Sequence, residues 1–497
     1  MIHYKISSKN PNSHFLEIEM IIPIPLPTEI DIQLPAWRPG RYELQNFAKN
    51  IQRFEVFDEQ NVPLNFEKQS KDAWRIKKNI LHREKNLHHK DRKVIIKFTC
   101  YANIQNAGSS FVDENTLYVN PVNCLPYWVG HLTKACSLEI DIPSHWKVAC
   151  GLPEDLSINE GLGRIFYAKN YYQLVDSPLL ASPFLQHDSY NVAKTNFNLW
   201  FLGNYQPDWH QVKADFQAFT KNQIEMMGDF PEKDYHFINW ILPTPYYHGV
   251  EHGNSTIIML GPDTDADGLY HDLLGVSSHE LFHAWNICKI RPKELLPYNF
   301  TKENYFPTGF VAEGVTTYYG DLFLKRSGVF SLENYLKELE TILKRHFEHD
   351  GQAWQSLIES SFDLWLDGYS PSVPNRRVSI YQKGAVVALI LDLMIRQKTN
   401  HAQSLDNVMQ LMWLRHGKTI VGYTLKDYQT ICEEVYGDSL QQYFDECIAG
   451  NIPLQNQVNI LLNTFGLSMQ TADNGSITLV LEDGENENLK KWLSREQ

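Results

Sequence analysis

The chain has 497 residues, enough for a large hydrophobic core and more than one domain. Its 45 Lys and Arg residues against 59 Asp and Glu residues give a net charge of −14, so it has no general attraction to nucleic acid or to anionic lipid. Hydrophobic residues make up 43% and charged residues 21%, which is ordinary for a globular protein, and there is no run of about 18 apolar residues. We therefore expect neither nucleic acid nor a membrane as a partner.

The cysteines and the N-terminus bear on the cell compartment. The seven cysteines are scattered and form no CxxC pair, which predicts reduced thiols. The first residues, Met1–Lys5, lack a basic segment followed by an apolar one, so no signal peptide is predicted. Together these features predict a cytoplasmic protein.

Strands and turns dominate the predicted structure of residues 1–185. In the stretch 16–22, apolar residues alternate with Glu17 and Glu19, a period of two that predicts a half-buried strand. A second β-rich run covers 94–101. Between them, the aromatic and cationic turn 35–42 is either a binding loop or, more commonly, a surface that packs against a neighbouring domain. We predict an antiparallel β domain here.

A mixed pattern begins near residue 186. A helix is predicted around residues 212–219, followed by strands at 235–242 and 255–260. Between the two strands lies a loop, 243–254, punctuated by Gly and Pro. Loops on a rigid scaffold often carry function, and this one holds Glu251, which is either a functional carboxylate or a solvated one.

The stretch Ser278–Trp285 contains the pattern HExxH, with His279 and His283 four residues apart. Residues at this spacing share one face of a helix, so the two imidazoles can hold one metal ion. Glu280 lies about 100° further round, too close to join easily as a third ligand but well placed to touch the attacking water. This arrangement predicts hydrolysis by a zinc-activated water. The alternative is a chance match on a solvated face, which the apolar neighbours in the same stretch disfavour.

A third ligand must come from elsewhere, because catalytic zinc usually has three protein ligands and a water. Glu294 and Glu303 lie among prolines, without regular support. Glu313 lies in the helical run Phe310–Leu324, which can pack antiparallel to the HExxH helix and hold a carboxylate firmly. We therefore predict Glu313 as the third ligand. Asp321 either orients a ligand histidine or is a surface charge.

Helical patterns continue through the C-terminal third of the chain. The longest cover 332–346 and 379–397, and they predict a helical domain over residues 331–455. The stretch 456–497 follows, with one strand predicted at 477–481.

Several linked motifs point to one family. The chain contains HELFHAWN followed by KIRPKEL and FVAEGVTTYYGDLFL, and, ahead of them, YHGVEHGNS. These segments resemble the zinc segment and the YGGLEHxxS loop of the glycyl aminopeptidase family of gluzincin metallopeptidases. The segments RPGRY and NFA resemble the N-terminal β domain of that family, and YQKG resembles the YxKG segment of related aminopeptidases. The resemblance spans roughly residues 1–455.

The resemblance implies a multidomain α+β fold. Residues 1–185 correspond to the antiparallel β domain, 186–330 to a thermolysin-like (gluzincin) catalytic domain, and 331–455 to a helical domain that completes the active site. The chain departs from the family in two places. His248 stands where the loop usually has a second glycine, and 456–497 is too short for the usual C-terminal PDZ domain, so we expect a short C-terminal segment or a remnant of that domain.

The resemblance also implies roles for individual residues. His279, His283 and Glu313 would bind one zinc ion per chain. Glu280 would be the general base that takes the proton of water and passes it to the leaving amine. Tyr381 would donate a hydrogen bond to the tetrahedral oxyanion. By itself, Tyr381 at the start of an apolar helix is more often a packing residue.

Substrate binding is implied for the loop before the HExxH helix. Glu251 would pair with the free α-ammonium of the substrate, with Gly249 and Val250 beside it. The strand 255–260 would lie along the peptide backbone. The implied activity is that of a zinc aminopeptidase that cleaves the N-terminal peptide bond of peptides, with glycine or another small residue favoured first. The alternatives are an inactive peptide-binding protein of the same fold and a zinc hydrolase that acts on other amides.

Overall fold

The computed structural model describes residues 1–23, 29–77, 93–157, 163–348, 350–370 and 373–494. The order of the elements along the chain confirms the predicted α+β organisation, with strands first and helices last. Within the described part of the chain, no helix has both the length and the apolar character needed to cross a membrane. All seven cysteines are free thiols.

The described part of the N-terminal region, up to Ser182, is a β domain with one short α-helix, α1 (Tyr171–Val175), and a few single 3₁₀ turns. Its strands are β1 (Ile2–Ser7), β2 (Phe15–Pro23), β3 (Ile30–Gln33), β4 (Ile51–Asp58), β5 (Phe66–Ser70), β6 (Ala73–Ile76), β7 (Lys93–Tyr101), β8 (Phe111–Val112), β9 (Leu117–Val119), β10 (Tyr127–Trp128), β11 (Cys136–Ile140), β12 (Lys147–Cys150), β13 (Arg164–Ala168) and β14 (Leu179–Ser182). They form one sheet of six strands and two of four. All pairs are antiparallel except β1 with β11. The predicted antiparallel β domain is thus confirmed, with one parallel pair.

Alternation of apolar and polar residues explains why this domain forms. Along β2, every second residue from Leu16 to Ile22 is buried, and the residues between them are not. In a strand, successive side chains point to opposite faces, so this alternation packs one face of the sheet into the core. The core of the domain also receives Phe300 from a later part of the chain, which ties the two regions together.

After the three sheets of the β domain, a five-stranded sheet carries the candidate site. Its strands are β15 (Gln186–Val192), β16 (Thr195–Leu202), β17 (Asp234–Ile241), β18 (Tyr246–His252) and β19 (Ser255–Gly261), in the order β15-β16-β17-β19-β18. Helices α2 (Trp209–Met227) and α3 (Ala266–Phe282) pack on it. The stretch 246–252, predicted to be loop, is a strand, because β18 pairs antiparallel with β19 along its whole length. It is an edge strand of this sheet.

The remaining helices surround α3 and extend to the C-terminus. They are α4 (Val315–Arg326), α5 (Leu332–Phe347), α6 (Leu357–Phe362), α7 (Leu364–Asp367), α8 (Gln382–Thr399), α9 (Leu405–Met412), α10 (Leu425–Tyr436), α11 (Gln441–Tyr443), α12 (Gln455–Thr464) and α13 (Glu487–Leu493), with a hairpin of β20 (Leu467–Thr471) and β21 (Ile477–Leu481) before the last. One continuous hydrophobic core runs from the five-stranded sheet through these helices.

The C-terminal segment is part of that core. Trp492 is fully buried, and its indole nitrogen donates a hydrogen bond of 2.9 Å to the hydroxyl of Tyr318 on α4. The backbone nitrogen of Leu479 on β21 donates to Glu340 of α5 at 2.8 Å. Residues beyond 455 therefore support the helix that follows Glu313. The limits of the domains at 185, 330 and 455 stay a prediction.

Candidate active site

The HExxH stretch lies at the C-terminal end of α3, which ends at Phe282 with His283 as its C-cap, so the first four residues of the stretch are helical as predicted. Three residues separate His279 from His283, and the two side-chain Nε2 atoms lie 3.0 Å apart. The helix is bonded to α2, since Gln223 of α2 donates a hydrogen bond of 2.8 Å to the carbonyl oxygen of Ser278. The hydroxyl of Ser278 donates to the carbonyl of Gly320 on α4 at 2.6 Å. These bonds fix α3 against both neighbouring helices.

Glu313 approaches the two histidines from a π-helical turn, Phe310–Gly314, which leads into α4. Its Oε2 atom lies 3.3 Å from Nε2 of His283 and 3.8 Å from Nε2 of His279. A π-turn contains one more residue than an α-turn and is frequent at functional sites. Glu294 and Glu303, the other carboxylates considered from the sequence, are not part of this group.

The geometry of the three residues fits a metal ion. Their ligand atoms all lie within 4.8 Å of one another. In a tetrahedral site with bonds of 2.0–2.1 Å, two nitrogen ligands are about 3.3 Å apart, close to the separations of 3.0–3.8 Å found here. Two imidazoles and one carboxylate are also a ligand set of catalytic zinc. The donor atoms thus converge as a zinc centre requires.

Glu280 lies beside this centre in a tightly packed position. A β-carbon added to Gly249 would lie only 2.2 Å from its Oε1 atom, so a larger residue at position 249 would require the Glu280 carboxylate to move. Its Oε2 atom is buried and has no hydrogen-bond partner among the described residues. A buried polar atom without a partner is costly. We read this oxygen as one that a ligand or a water satisfies in the working protein.

Glu251 is the second carboxylate that packs on a glycine. A β-carbon added to Gly40, in the N-terminal β domain, would lie 2.7 Å from its Oε2 atom. Gly40 has φ +75°, a backbone conformation that favours glycine. The turn 35–42 therefore both packs against the catalytic region and reaches the site. Trp37 anchors it, with its ring edge-on to Trp365 at a centroid distance of 4.9 Å.

Tyr381 lies at the first position before α8 and lines the same cavity as the metal-ligating group. Its hydroxyl has no hydrogen-bond partner among the residues that the structure describes. Burial raises its pKa well above the ordinary value, and the charges of Glu313 and Glu251 add to that shift. The hydroxyl therefore keeps its proton and is available as a donor.

Negative charge dominates the centre and calls for a cation. Burial raises the pKa of Glu280 to about 8, and Glu251 and Glu313 act in the same direction. Burial lowers the pKa of His283, but Glu313 and the other two carboxylates outweigh it and raise this pKa to about 10. A proton on His283 supplies one positive charge among the three carboxylates. A divalent cation supplies two positive charges instead of one and leaves the imidazole unprotonated at Nε2, so that it can coordinate.

One cavity of about 340 Å³ contains all these groups. Its lining also includes Gly40 and Glu251, Tyr247, the α3 residues before His279, and Asp321 and Glu338. The free edge of β18 runs along this cavity.

Two predictions about the substrate-facing strand need correction. The strand 255–260 cannot lie beside a peptide backbone, because β19 is paired on both sides, with β17 and with β18. The edge that a peptide can reach belongs to β18. Val250 is not brought to the cavity either, since its side chain is buried in a separate apolar cluster. Gly249 does line the cavity.

The residue that orients His283 was not predicted from the sequence. Nδ1 of His283 donates a hydrogen bond of 2.8 Å to the backbone carbonyl of Asn286. Asp321, considered for such a role, lines the cavity, and no hydrogen bond joins it to either histidine. The signal available in the sequence was a polar Asn in the otherwise apolar run after HExxH. Its partners, however, are distant in the chain.

Comparison with known families gives two matches of one family. A model described as the peptidase M61 N-terminal domain matches residues 3–183, and one described as M61 glycyl aminopeptidase matches residues 272–387. Together they include the turn that reaches Glu251 and every predicted metal ligand. No curated protein matches the sequence as a relative.

Solved structures share the fold. A crystal structure of an aminopeptidase N family protein from Idiomarina loihiensis superposes with a TM-score of 0.86 at 28% identity, covering 96% of this chain and 81% of that chain. An M1 zinc metallopeptidase from Deinococcus radiodurans has a TM-score of 0.55 at 10% identity, covering 91% and 94%. A variant of that enzyme bound to the substrate Tyr-Ser-Ala gives 0.54 at 11% identity, with the same coverage.

Proposed function

On the premise that the chain belongs to the M61 glycyl aminopeptidase family and is a metallo-aminopeptidase, we propose that its metal is zinc. We propose further that it cleaves the N-terminal peptide bond of peptides at the centre formed by His279, His283 and Glu313. The observation that carries the proposal is the position of Glu251. It places a carboxylate beside the metal-ligating group, against Gly40 of the other domain. Such a group suits a substrate that begins with a free ammonium.

The three ligands hold one zinc ion per chain in this proposal. When bound, zinc supplies Lewis acidity, which polarises the scissile carbonyl and lowers the pKa of water. His283 is oriented for coordination, because its Nδ1 atom donates a hydrogen bond of 2.8 Å to the Asn286 carbonyl and its Nε2 lone pair faces the centre.

Glu280 acts as the general base and then the general acid. Its Oε2 atom lacks a partner and can accept the proton of the attacking water. Burial raises the pKa of this carboxyl, so it holds that proton more readily than an exposed glutamate does. It then passes the proton to the nitrogen of the departing amine. Gly249 leaves room for this carboxylate, since a β-carbon at position 249 would displace it.

Tyr381 donates a hydrogen bond to the oxyanion of the tetrahedral intermediate. Its hydroxyl is free among the described residues, and its pKa is well above the ordinary value, so it remains a donor at neutral pH. A donor aimed at developing negative charge contributes about 3 kcal/mol in typical hydrolases.

Glu251 fixes the N-terminus of the substrate. The peptide then runs along the free edge of β18, because Tyr247, Gly249 and Glu251 of this strand line the cavity. His248 and Tyr381 line the same cavity. Because the matching family model is described as a glycyl aminopeptidase, we propose glycine or another small residue as the favoured first residue. A cytoplasmic location also stays a proposal.

The proposal is tested by metal analysis of the purified protein beside a panel of aminoacyl and peptidyl amides. The panel pairs each free-amino substrate with its N-acetylated form and varies the first residue from Gly to Leu. We expect one zinc per chain, cleavage of free-amino substrates, and the highest kcat/KM for Gly or Ala. Equal cleavage of acetylated substrates would indicate a general zinc amidase. Binding of peptides without turnover would indicate an inactive binding protein.

A further inference from the structure

Asn286 lies at the point where the metal-ligating helix and the metal-ligating turn meet. It follows His283 by three residues and is fully buried. Its backbone nitrogen donates to the carbonyl of Phe282 at 3.0 Å, and its own carbonyl accepts the Nδ1 proton of His283 at 2.8 Å. The backbone of Asn286 thereby fixes both the tautomer and the ring orientation of a ligand histidine.

The side chain of Asn286 holds the other ligand-bearing segment. Its Nδ2 atom donates to the carbonyl oxygens of Val311 at 2.8 Å and Ala312 at 3.2 Å, and to the hydroxyl of Thr316 at 3.0 Å. Val311 and Ala312 belong to the π-turn, and Ala312 immediately precedes Glu313. The two hydrogens of this amide therefore bond to three acceptor oxygens, so one hydrogen is shared between two of the oxygens.

The π-turn needs such a donor. In this turn, the nitrogen of Val315 bonds to the carbonyl of Phe310, five residues back. The extra residue disturbs the regular helical ladder and leaves carbonyls that side chains must satisfy. The hydroxyl of Thr316 donates a hydrogen bond of 2.7 Å to the Ala312 carbonyl. The amide of Asn286 donates the other side-chain hydrogen bonds to this turn, at the carbonyls of Val311 and Ala312.

We propose that Asn286 is a positioning residue that sets the zinc affinity of the centre, by fixing His283 through its carbonyl and Glu313 through its amide. This inference rests on the proposed zinc centre. Asn286 itself touches neither substrate nor metal. Its effect is to hold two of the three ligand atoms at the observed separation of 3.3 Å, so less ordering is required when zinc binds.

The test is the zinc affinity of the metal-free protein with Asn286→Asp and Asn286→Ala. Asp has the same shape but no amide donors, and Ala removes the side chain. Each metal-free variant is titrated with zinc against a chromophoric chelator, and the visible spectrum of the Co²⁺-loaded form reports ligand geometry. We expect zinc binding about 10–100-fold weaker than in the unaltered protein, as for other residues that orient metal ligands, and a changed Co²⁺ spectrum.

Asn239 offers a matched control. It is also fully buried, its Nδ2 donates to the Trp200 carbonyl at 3.0 Å, and its Oδ1 lacks a partner among the described residues, as does that of Asn286. Asn239→Asp disturbs a buried amide of the same kind in β17, away from the centre. It should lower the thermal midpoint and leave zinc affinity and the Co²⁺ spectrum unchanged.

The outcomes separate the possibilities. Unaltered zinc affinity in a folded Asn286→Asp protein overturns the proposal, and so does an equal loss in Asn239→Asp. If the Asn286 variants do not fold, Thr316→Val carries the test, because it removes one acceptor of Asn286 and one donor to Ala312. A several-fold loss of zinc affinity is expected there, and no loss overturns the proposal. If the unaltered protein binds no zinc, the proposed function itself fails, and this inference fails with it.

Discussion

Gly314 and Gly384 contact each other backbone to backbone. A β-carbon added to Gly314 would lie 2.4 Å from the Cα atom of Gly384, and one added to Gly384 would lie 2.7 Å from the Cα atom of Gly314. Gly314 directly follows the ligand Glu313, and Gly384 lies three residues after Tyr381. The contact therefore sets how closely the proposed oxyanion donor approaches the metal-ligating turn.

Gly384→Ala should reduce activity although it raises helix propensity. In an unobstructed helix this change stabilises by about 1 kcal/mol. Here the methyl group must push α8 away from the π-turn, and overpacking of this kind costs about 1–3 kcal/mol. We expect kcat to fall about tenfold or more with zinc retained, as measured by steady-state kinetics and metal analysis. Ala388→Gly, on the same helix, is the control and should lower stability but keep kcat. Wild-type kcat in Gly384→Ala would show that the close approach is not needed.

Glu280→Gln should keep zinc and lose turnover. The amide has the shape of the carboxylate, so it fits beside Gly249, but it cannot take the proton of water. We expect kcat to fall by about 10²–10⁴, the usual contribution of a general base. Metal analysis and kcat are measured together, with Glu294→Gln as a control for a glutamate outside the metal-ligating group. Retention of substantial turnover in Glu280→Gln would assign the base role elsewhere.

Tyr381→Phe removes only the hydroxyl of this side chain and so tests its proposed role as an oxyanion donor. If this hydroxyl stabilises the oxyanion, its loss should lower kcat about a hundredfold with little change in zinc content. Tyr305→Phe, at an exposed tyrosine, is the control and should behave as the unaltered protein. A near wild-type kcat in Tyr381→Phe would mean that this side chain serves packing, the alternative that its sequence context favoured.

The local sequence pattern was sufficient to predict the three metal-ligating residues, but it was insufficient to predict the contacts that surround them. His279 and His283 could be placed because the spacing of four residues defines a helical face by itself. Glu313 could be chosen because its neighbours predict a supporting helix. The π-turn that aims Glu313 could not be predicted, since it depends on Asn286, about 25 residues earlier in the chain.

The same reasoning explains the errors around β18. Its prolines and glycines favour a loop, and only pairing with β19 makes the stretch a strand. Which of two strands forms an edge is a property of the whole sheet, so the sequence could not indicate that β18 rather than β19 faces the cavity. The contact of Gly40 with Glu251 likewise joins residues from different domains.

Lys383 should make stability depend on pH. It is buried, and among the residues that the structure describes its Nζ atom reaches only the Gly450 carbonyl, at 3.5 Å. Burial lowers its pKa from 10.5 to about 8. The cost of burying the charge is therefore fully present below about pH 8 and disappears as the pH rises through 10.5, the value in the unfolded chain. The difference corresponds to at most roughly 3 kcal/mol.

Lys383→Met should thus raise the thermal midpoint at pH 7, and the gain should shrink toward pH 10. Differential scanning calorimetry across this range measures it. Lys398→Met changes the net charge equally at an exposed position of the same helix and should show no such trend. A gain of equal size at pH 7 and pH 10 would mean that the methionine acts by packing alone.

Glu251 should distinguish substrates by their N-terminal charge. The substrate ammonium loses water when it enters the cavity, and a carboxylate held against Gly40 offsets that cost. Removing one partner of such a pair costs about 2–5 kcal/mol, so Glu251→Ala should depress kcat/KM tens- to thousands-fold for free-amino substrates, with zinc retained. N-acetylated substrates should be poor for the unaltered enzyme and should gain relative to free ones in the variant. Glu251→Gln keeps the packing and removes the charge, so it should show most of the same loss. If that variant keeps full kcat/KM, the carboxylate acts through its shape, and the enzyme does not recognise the ammonium by charge.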